Sequence, residues 1–351
     1  MRRSELEPII EESTRRLLQI SIPPVRYFIY WDVMSESRED SSIQKALKEC
    51  ETYPPRVKLL QSLQADGTWP ISRMRRLAEE RGPGPPVGWT YVTMLRNLFT
   101  LSEFNAGKDE GHIQACVEKI LSWQTDEGYI PGPWTDAYPL PHYNGYALRG
   151  LLHFGEETNP RIKKLVRWLL KMQRKDGGWL IPYEQDLRYL PQYRQMRVAD
   201  FQNLIRKGEI ADYDPSQHDL IPSCIWSTMM VVRGFLQSDD LTRSKAVKRG
   251  AEFFLDRFFK KNYHYSFYHS ASNWTKLRYP TYFGSGLCAL DLLTWMGFGA
   301  EDPRMEKPIK WILGCRQSDG LWSQSERPHP VKDQWISVIA LGILSRYART
   351  L

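Results

Sequence analysis

The chain has 351 residues, of which 42% are hydrophobic and 25% charged, the balance of a globular protein. Its net charge is +7, but Lys and Arg are scattered through helical patterns without a dense basic block. That pattern predicts no nucleic-acid partner and leaves an anionic membrane surface, touched peripherally, or a diphosphate-bearing substrate as compatible with the surplus. No apolar run is long enough to cross a membrane, the N-terminus lacks the apolar core of a signal peptide, and five isolated cysteines (Cys50, Cys116, Cys224, Cys288, Cys315) suit a reducing compartment. A cytoplasmic location is the expectation.

Residues 5 to 33 read as a helical region broken at Pro23-Pro24, and residues 42 to 64 as one helix ending at Gln64-Ala-Asp66-Gly67-Thr-Trp69. The loop Arg81-Gly-Pro-Gly-Pro-Pro86 leads to a helix from Trp89 to Phe104 that is apolar nearly all round. A polar-striped helix over about 110 to 124 ends at Gly128-Tyr129, a Pro-rich link follows, and His142 to Phe154 is the next apolar helix. Asn159-Pro160 and Asp302-Pro303 are one device used twice, an N-cap followed by Pro in the first turn, each eight residues before a Trp (Trp168, Trp311). About forty residues rich in Tyr, Arg, Gln and Asp, roughly 180 to 222, separate Trp179 from the apolar helix Ser223 to Leu236. An insert of that length in a compact domain is typically a lid, a binding loop or a disordered segment. A striped helix over 241 to 260, an apolar one from Tyr279 to Trp295, and a last one from Lys332 to Tyr347 complete the chain.

The stretch that orders this pattern is Trp168-Leu-Leu-Lys-Met-Gln173-Arg-Lys-Asp176-Gly177-Gly178-Trp179. Versions of it recur at Gln64 to Trp69 and Gln317 to Trp322, with a looser one at Gln124 to Tyr129. Ahead of Gln173, Ile162, Leu165, Val166, Leu169, Leu170 and Met172 recur at three and four, the stripe of an amphipathic helix. Glycine then ends the helix in a left-handed cap, Asp favours the turn, Trp is a large anchor with one donor, and the Gln amide can tie the helix end to its neighbour. Self-similarity at spacings of tens of residues marks a stacked array. Five or six apolar helices alternating with five striped ones predict two concentric rings: an all-α toroid of about five helix-pair repeats, one domain over residues 1–351, with a central cavity.

These turns resemble the QW motif of the prenyltransferase and squalene-cyclase repeat proteins, closely at 64 to 69, 173 to 179 and 317 to 322 and loosely at 124 to 129. The likeness spans almost the whole chain and is nearest to the short single-domain prenyltransferase-like members. It implies the α/α toroid with a hydrophobic cavity, and a terpenoid-cyclase-like isomerase or lyase acting on an isoprenoid or other apolar molecule. The family's catalytic signatures do not carry over. No Asp-x-Asp-Asp occurs in the chain, and the comparable stretch, His218-Asp219-Leu-Ile-Pro222-Ser223-Cys224, holds one acid. Cys224 stands where zinc-binding members have a ligand, but Pro222 replaces the Asp two residues earlier and Tyr279 to Trp295 contains no His. No metal and no cofactor are expected.

The acids at the starts of inner helices are Asp136, Asp219 and Asp333, with His142 and His218 near two of them. Asp219 and Asp136 are the candidate proton donors, and the plain alternative is that each acid caps its helix. Trp89, Tyr143, Trp226, Tyr282, Phe283, Trp335 and His142 are candidates to line the cavity and bind substrate, where aromatic faces would stabilise a carbocation or hold an apolar chain. Asp291, inside the apolar run Leu287 to Trp295, must be paired or turned to water. Two other readings stand beside the cyclase-like one: a non-catalytic toroid that binds a lipid or a partner, and a carbohydrate-active toroid with carboxylates across an open groove.

Overall fold

The computed structural model describes residues 2–80, 88–132, 139–180, 195–196, 200, 204, 207, 209, 222–261, 271–325 and 327–351. Among them the secondary structure is α-helical with short 3-10 and π turns and no strand beyond one isolated bridge, Trp179 to Cys224. The helices are α1 (Arg3–Ile20), α2 (Pro23–Phe28), α3 (Ser41–Glu51), α4 (Pro54–Gln61), α5 (Arg73–Glu80), α6 (Gly88–Glu103), α7 (Ile113–Ser122), α8 (Pro141–Phe154), α9 (Pro160–Lys171), α10 (Ile225–Phe235), α11 (Asp239–Thr242), α12 (Lys245–Arg257), α13 (Gly286–Trp295), α14 (Glu306–Gly314) and α15 (Lys332–Ala348). They form an all-α toroid. Helix α8 packs between α6 and α10, α10 packs on α13, α13 on α15, and α15 on α2. The striped helices lie against their outer sides: α7 and α9 on α8, α12 on α10, α14 on α13.

The division into inner and outer helices follows from composition. From Gln334 to Ala348, α15 buries nearly every residue, whereas α9 buries only Ile162, Leu165, Trp168 and Leu169 and leaves its lysines to water. The ring closes where the chain's ends meet, because α1 packs on α15. Gln334 Oε1 accepts from the Ile22 amide at 2.8 Å, and Arg316 reaches Glu12 at 2.7 Å. Glycine sets the closest approach: a Cβ on Gly145 of α8 would lie 2.5 Å from Val231 Cα of α10, and one on Gly234 would lie 2.5 Å from Gly145 O. These two helices meet backbone to backbone. The single helix expected over 42 to 64 is instead two, α3 and α4. Pro54-Pro55 holds Tyr53 extended and opens α4 at its first turn.

The recurrent turns are built alike. The indole N–H of Trp69, Trp179 and Trp322 donates to the carbonyl ten residues earlier, Leu59, Leu169 and Ile312, at 2.9, 2.8 and 2.7 Å. Gln173 Nε2 donates to Gly177 O at 2.9 Å and to Ala246 O of the next outer helix at 2.8 Å, and Gln124 does the same with Gly128 O and Arg161 O. At these two turns the amide closes its own turn and staples it to the neighbouring pair, whereas Gln317 Nε2 donates to Cys315 O at 3.2 Å and Gln64 Oε1 accepts from the Thr68 hydroxyl at 3.0 Å. A further clamp, not foreseen in the sequence, holds the chain at or just past three of these turns to the next inner helix. Ile130 is bracketed by Asn144, the Trp179 amide donates to Thr228 Oγ1 at 3.0 Å, and the Trp322 amide donates to Ser337 Oγ at 2.9 Å. The separations are 14, 49 and 15 residues, so the expected 180–222 insert leaves and returns at one clamped point. The insert itself lies almost wholly outside the described residues.

Gly67, Gly128, Gly177 and Gly320 all have positive φ, and a Cβ on Gly177 would lie 2.4 Å from Arg249 O. Gly177→Ala is therefore expected to lose about 1–2 kcal/mol from the left-handed backbone and about 1–3 more from the backbone clash. Gly314 is the control: it is helical, nothing lies within 4 Å of its Cβ, and Ala there should gain about 0.5–1 kcal/mol. Urea midpoints at unchanged slope test both.

Candidate functional site

Helices α6 and α8 each carry a stripe of polar and aromatic residues along one face. On α6 the stripe runs Trp89, Thr93, Arg96, Thr100, Glu103, and on α8 it runs His142, Tyr146, Arg149, spacings of three and four that keep one helix face. Its character changes along the axis. Near the helix starts it is aromatic: the His142 ring lies 4.9 Å from Trp226 and 4.2 Å from Tyr143, and Tyr143 lies 6.4 Å from Tyr91. Trp226 donates its indole N–H to Tyr282 O at 2.8 Å and borders a small, mainly apolar recess of about 10 Å³ shared with Ile225, Met229, Asn273, Trp274, Gly284 and Ser285. Deeper, Phe99, Tyr146 and Tyr282 form a mutual cluster with centroids 5.6 to 5.8 Å apart.

His142, Tyr143, Trp226 and Tyr282 are thus neighbours. Trp335 is stacked on Tyr279 at 5.1 Å with rings nearly parallel, and flanked by Phe28 and Phe104. Trp89 carries the Arg75 guanidinium over its ring at 4.7 Å. Asp219, Asp136 and His218 lie outside the described residues, as does the side chain of Phe283. Asp333 behaves as a loop tie, its carboxylate accepting from the amides of His329 and Gln324 at 2.6 and 3.1 Å. His142 is buried, burial pushes its pKa down to about 3, and its Nδ1 has no partner among the described residues. At neutral pH it is an uncharged imidazole among rings.

At the ends of the inner helices the stripe becomes ionic. Asp32, Glu103, Arg149, Arg233, Asp291 and Arg346 come from α6, α8, α10, α13, α15 and the π turn (Ile29–Val33) that continues α2. Asp291 is paired on both sides: Arg346 Nη2 donates to its Oδ1 at 2.7 Å and Arg233 Nη2 to its Oδ2 at 3.1 Å. Arg346 also binds Asp32 and donates to Thr294 Oγ1 at 3.0 Å. The extra residue of the π turn aims Asp32 inward, and Gly342 makes room, since a Cβ there would lie 2.2 Å from Asp32 Oδ2.

Glu103 is set apart from this network. It is 6% exposed, and the Tyr279 hydroxyl donates to its Oε2 at 2.6 Å. Burial raises its pKa to about 7, against the pull of Arg149 and of the Tyr279 hydrogen bond. It is therefore a carboxyl poised to exchange a proton near neutrality. Sequence reasoning missed Glu103, Arg149, Arg233 and Tyr279, although the argument applied to Asp291 reaches three of them: each is a charged residue inside an otherwise apolar inner helix.

A probable squalene–hopene cyclase from Sinorhizobium fredii (strain NBRC 101917 / NGR234) is 28% identical to the chain over 207 residues, 55% of this chain and 28% of that protein. The chain thus spans little more than a quarter of its relative's length. Together with the all-helical fold this supports a distant, terpenoid-cyclase-like relation. The crystal structure of a protein from Actinoplanes covers 98% of this chain and 99% of its own at 11% identity and a TM-score of 0.46, too weak a likeness to establish a shared fold. No protein-family model matches the chain. Among the described residues no helix is long and apolar enough to cross a membrane.

Proposed function

We propose that the chain is a terpenoid-cyclase-like enzyme that acts on an isoprenoid or other apolar molecule inside the toroid. The observation that carries this reading is the stripe itself, ring faces leading down to Glu103, a buried carboxyl that is not committed to an arginine. Apolar rings bind a hydrocarbon and stabilise positive charge that develops on it. Glu103, with a pKa near 7, is too weak an acid to protonate an isolated alkene. Its place in such a reaction is the later step, taking a proton from a cation and returning it to water. Initiating acidity falls to Asp219 or Asp136, the candidates at the helix starts. The 28% identical cyclase supports the substrate class, and the missing Asp-x-Asp-Asp favours a second reading, a toroid that binds a lipid or partner without chemistry. The carbohydrate-active alternative has less support, because Asp32 and Asp291 are tied to arginines.

The test is incubation of the purified protein with squalene and with prenyl diphosphates, alongside native mass spectrometry for a retained apolar molecule. Turnover that falls at least about a hundredfold in Glu103→Gln and in Asp219→Asn or Asp136→Asn supports the enzyme. A bound isoprenoid without turnover supports the binding toroid. An empty protein that neither binds nor converts these compounds overturns both.

A further inference from the structure

Buried polar atoms in folded proteins are nearly always hydrogen-bonded, and exceptions that cluster point to a missing partner. Four such atoms belong to three side chains of helices α8 and α10 that lie within electrostatic reach of one another. Tyr146 Oη, Arg149 Nε and Nη1, and Arg233 Nε are sealed from solvent and have no partner among the described residues. Tyr146 is 7% exposed, and Arg149 follows it by three residues on the same helix face. Arg233 uses its other nitrogen, Nη2, on Asp291 and on Cys288 Sγ, each at 3.1 Å. Arg149 has no ion pair among the described residues. Its guanidinium lies 3.6 Å over the Phe99 ring, and the nearby acid, Glu103, takes its hydrogen bond from Tyr279 instead.

Buried waters could supply hydrogen bonds to these donors, but water leaves the charge of a buried guanidinium uncompensated. Burial lowers the Arg149 pKa only to about 10, so it stays charged at neutral pH, whereas Glu103 spends much of its time protonated there. Of the three arginines in this ionic cluster, Arg346 and Arg233 are hydrogen-bonded to carboxylates, Asp291 and Asp32; Arg149 has Glu103 as its nearest acid without a hydrogen bond to it, and a hydroxyl, a ring and free donors beside it. That is the donor set of an anion site: a planar fork that matches carboxylate or phosphate oxygens, with a phenol alongside.

We propose that Arg149, supported by Tyr146 Oη and Arg233 Nε, binds the carboxylate or phosphate of a ligand whose apolar part lies along the Phe99, Tyr146 and Tyr282 rings. This rests on the reading that the interior takes an apolar molecule and adds that the molecule carries an anionic head, directed towards the ends of the inner helices.

The experiment is isothermal titration of the full chain with four probes: decanoate, inorganic pyrophosphate, farnesyl diphosphate and farnesol. Wild type is expected to bind at least one anionic probe, and the tighter of decanoate and farnesyl diphosphate identifies the head group. Arg149→Gln should weaken that binding by about ten- to a hundredfold, the usual worth of a charge-assisted hydrogen bond, and Tyr146→Phe by less, while farnesol binds all three proteins alike. Anionic probes that do not bind wild type, or bind Arg149→Gln equally well, overturn the site. Should Arg149→Gln fail to fold by circular dichroism, Arg149→Lys takes its place, since it keeps the charge and loses the fork; unchanged affinity in it and in Tyr146→Phe likewise overturns the site. Farnesol bound without any anion preference removes this inference and leaves the proposed function standing, whereas pyrophosphate bound through Arg149 with no farnesol binding does the reverse.

Discussion

Asp291→Ala is expected to lower the unfolding free energy by about 3–5 kcal/mol, because it strands the buried Arg233 guanidinium and takes one of its two acids from Arg346. Arg346 and Arg233 hold the carboxylate from opposite sides, with side chains only 8% and 13% exposed. The pair interaction need not be worth that much in itself. Most of the loss is the cost of leaving positive charge in a low dielectric with its counter-ion gone. Asp291→Asn, which keeps the shape and one acceptor, should cost less, about 1–3 kcal/mol. Combining Asp291→Ala with Arg233→Met should recover part of the loss, since Asp291 is the one acid that Arg233 pairs with among the described residues and the second change removes the stranded charge. The exposed Lys310–Glu306 pair is the contrast, and Glu306→Ala should leave the urea midpoint unmoved. A loss below about 1 kcal/mol for Asp291→Ala would mean that water reaches the ionic cluster, and would remove the reason to treat it as buried.

Much of this fold was legible because its rules are local. The Gln-Asp-Gly-Trp turns state their own construction: a glycine for the left-handed cap, a Trp to reach back ten residues and, at Gln173, an amide to reach across to the next pair. The N-caps Asn159 and Asp302 accept from the amides two residues on, at 2.9 Å each, as their Asn-Pro and Asp-Pro sequences imply. Pro54-Pro55 was equally readable, and the break it forces shows how an apolar period can run unbroken through a proline that no helix interior tolerates.

The site was less legible because its charges belong to different helices. Glu103, Arg149, Arg233, Asp291 and Arg346 are spread over more than two hundred residues, and only ring closure makes them neighbours. Asp291 was noticed for its apolar surroundings, yet the arginines that answer it stand near helix ends, where a cation is ordinary. The clamps from Asn144, Thr228 and Ser337 were hidden for a related reason. The three residues differ in type, and each acts on backbone at the far side of a loop.

Stability between about pH 4.5 and 6.5 is expected to be nearly flat as far as His142 and Glu103 are concerned, because their linkages oppose each other, and each single variant should tilt it. His142 has a folded pKa of about 3 against 6.5 for the free side chain, so the unfolded chain binds the extra proton and stability falls as pH drops from 6.5 towards 3. Glu103 has a folded pKa of about 7 against 4.5, so the folded chain binds the extra proton and its contribution, full below pH 4.5, is lost as pH rises to 7. Each slope is about 1.4 kcal/mol per pH unit at most, and over the shared window the two cancel. Glu103→Gln removes the second. Relative to wild type it should gain stability steadily from pH 4.5 to 7, by up to about 3 kcal/mol. His142→Phe, similar in shape among the same rings, should gain relative to wild type in the opposite direction, as pH falls from 6.5 to 3. Urea denaturation at half-unit pH steps measures both differences, and comparison with wild type cancels every other titrating group. A Glu103→Gln difference that does not change with pH would mean that this carboxyl ionises as it does in water, which would also end its candidacy as a proton acceptor at neutral pH.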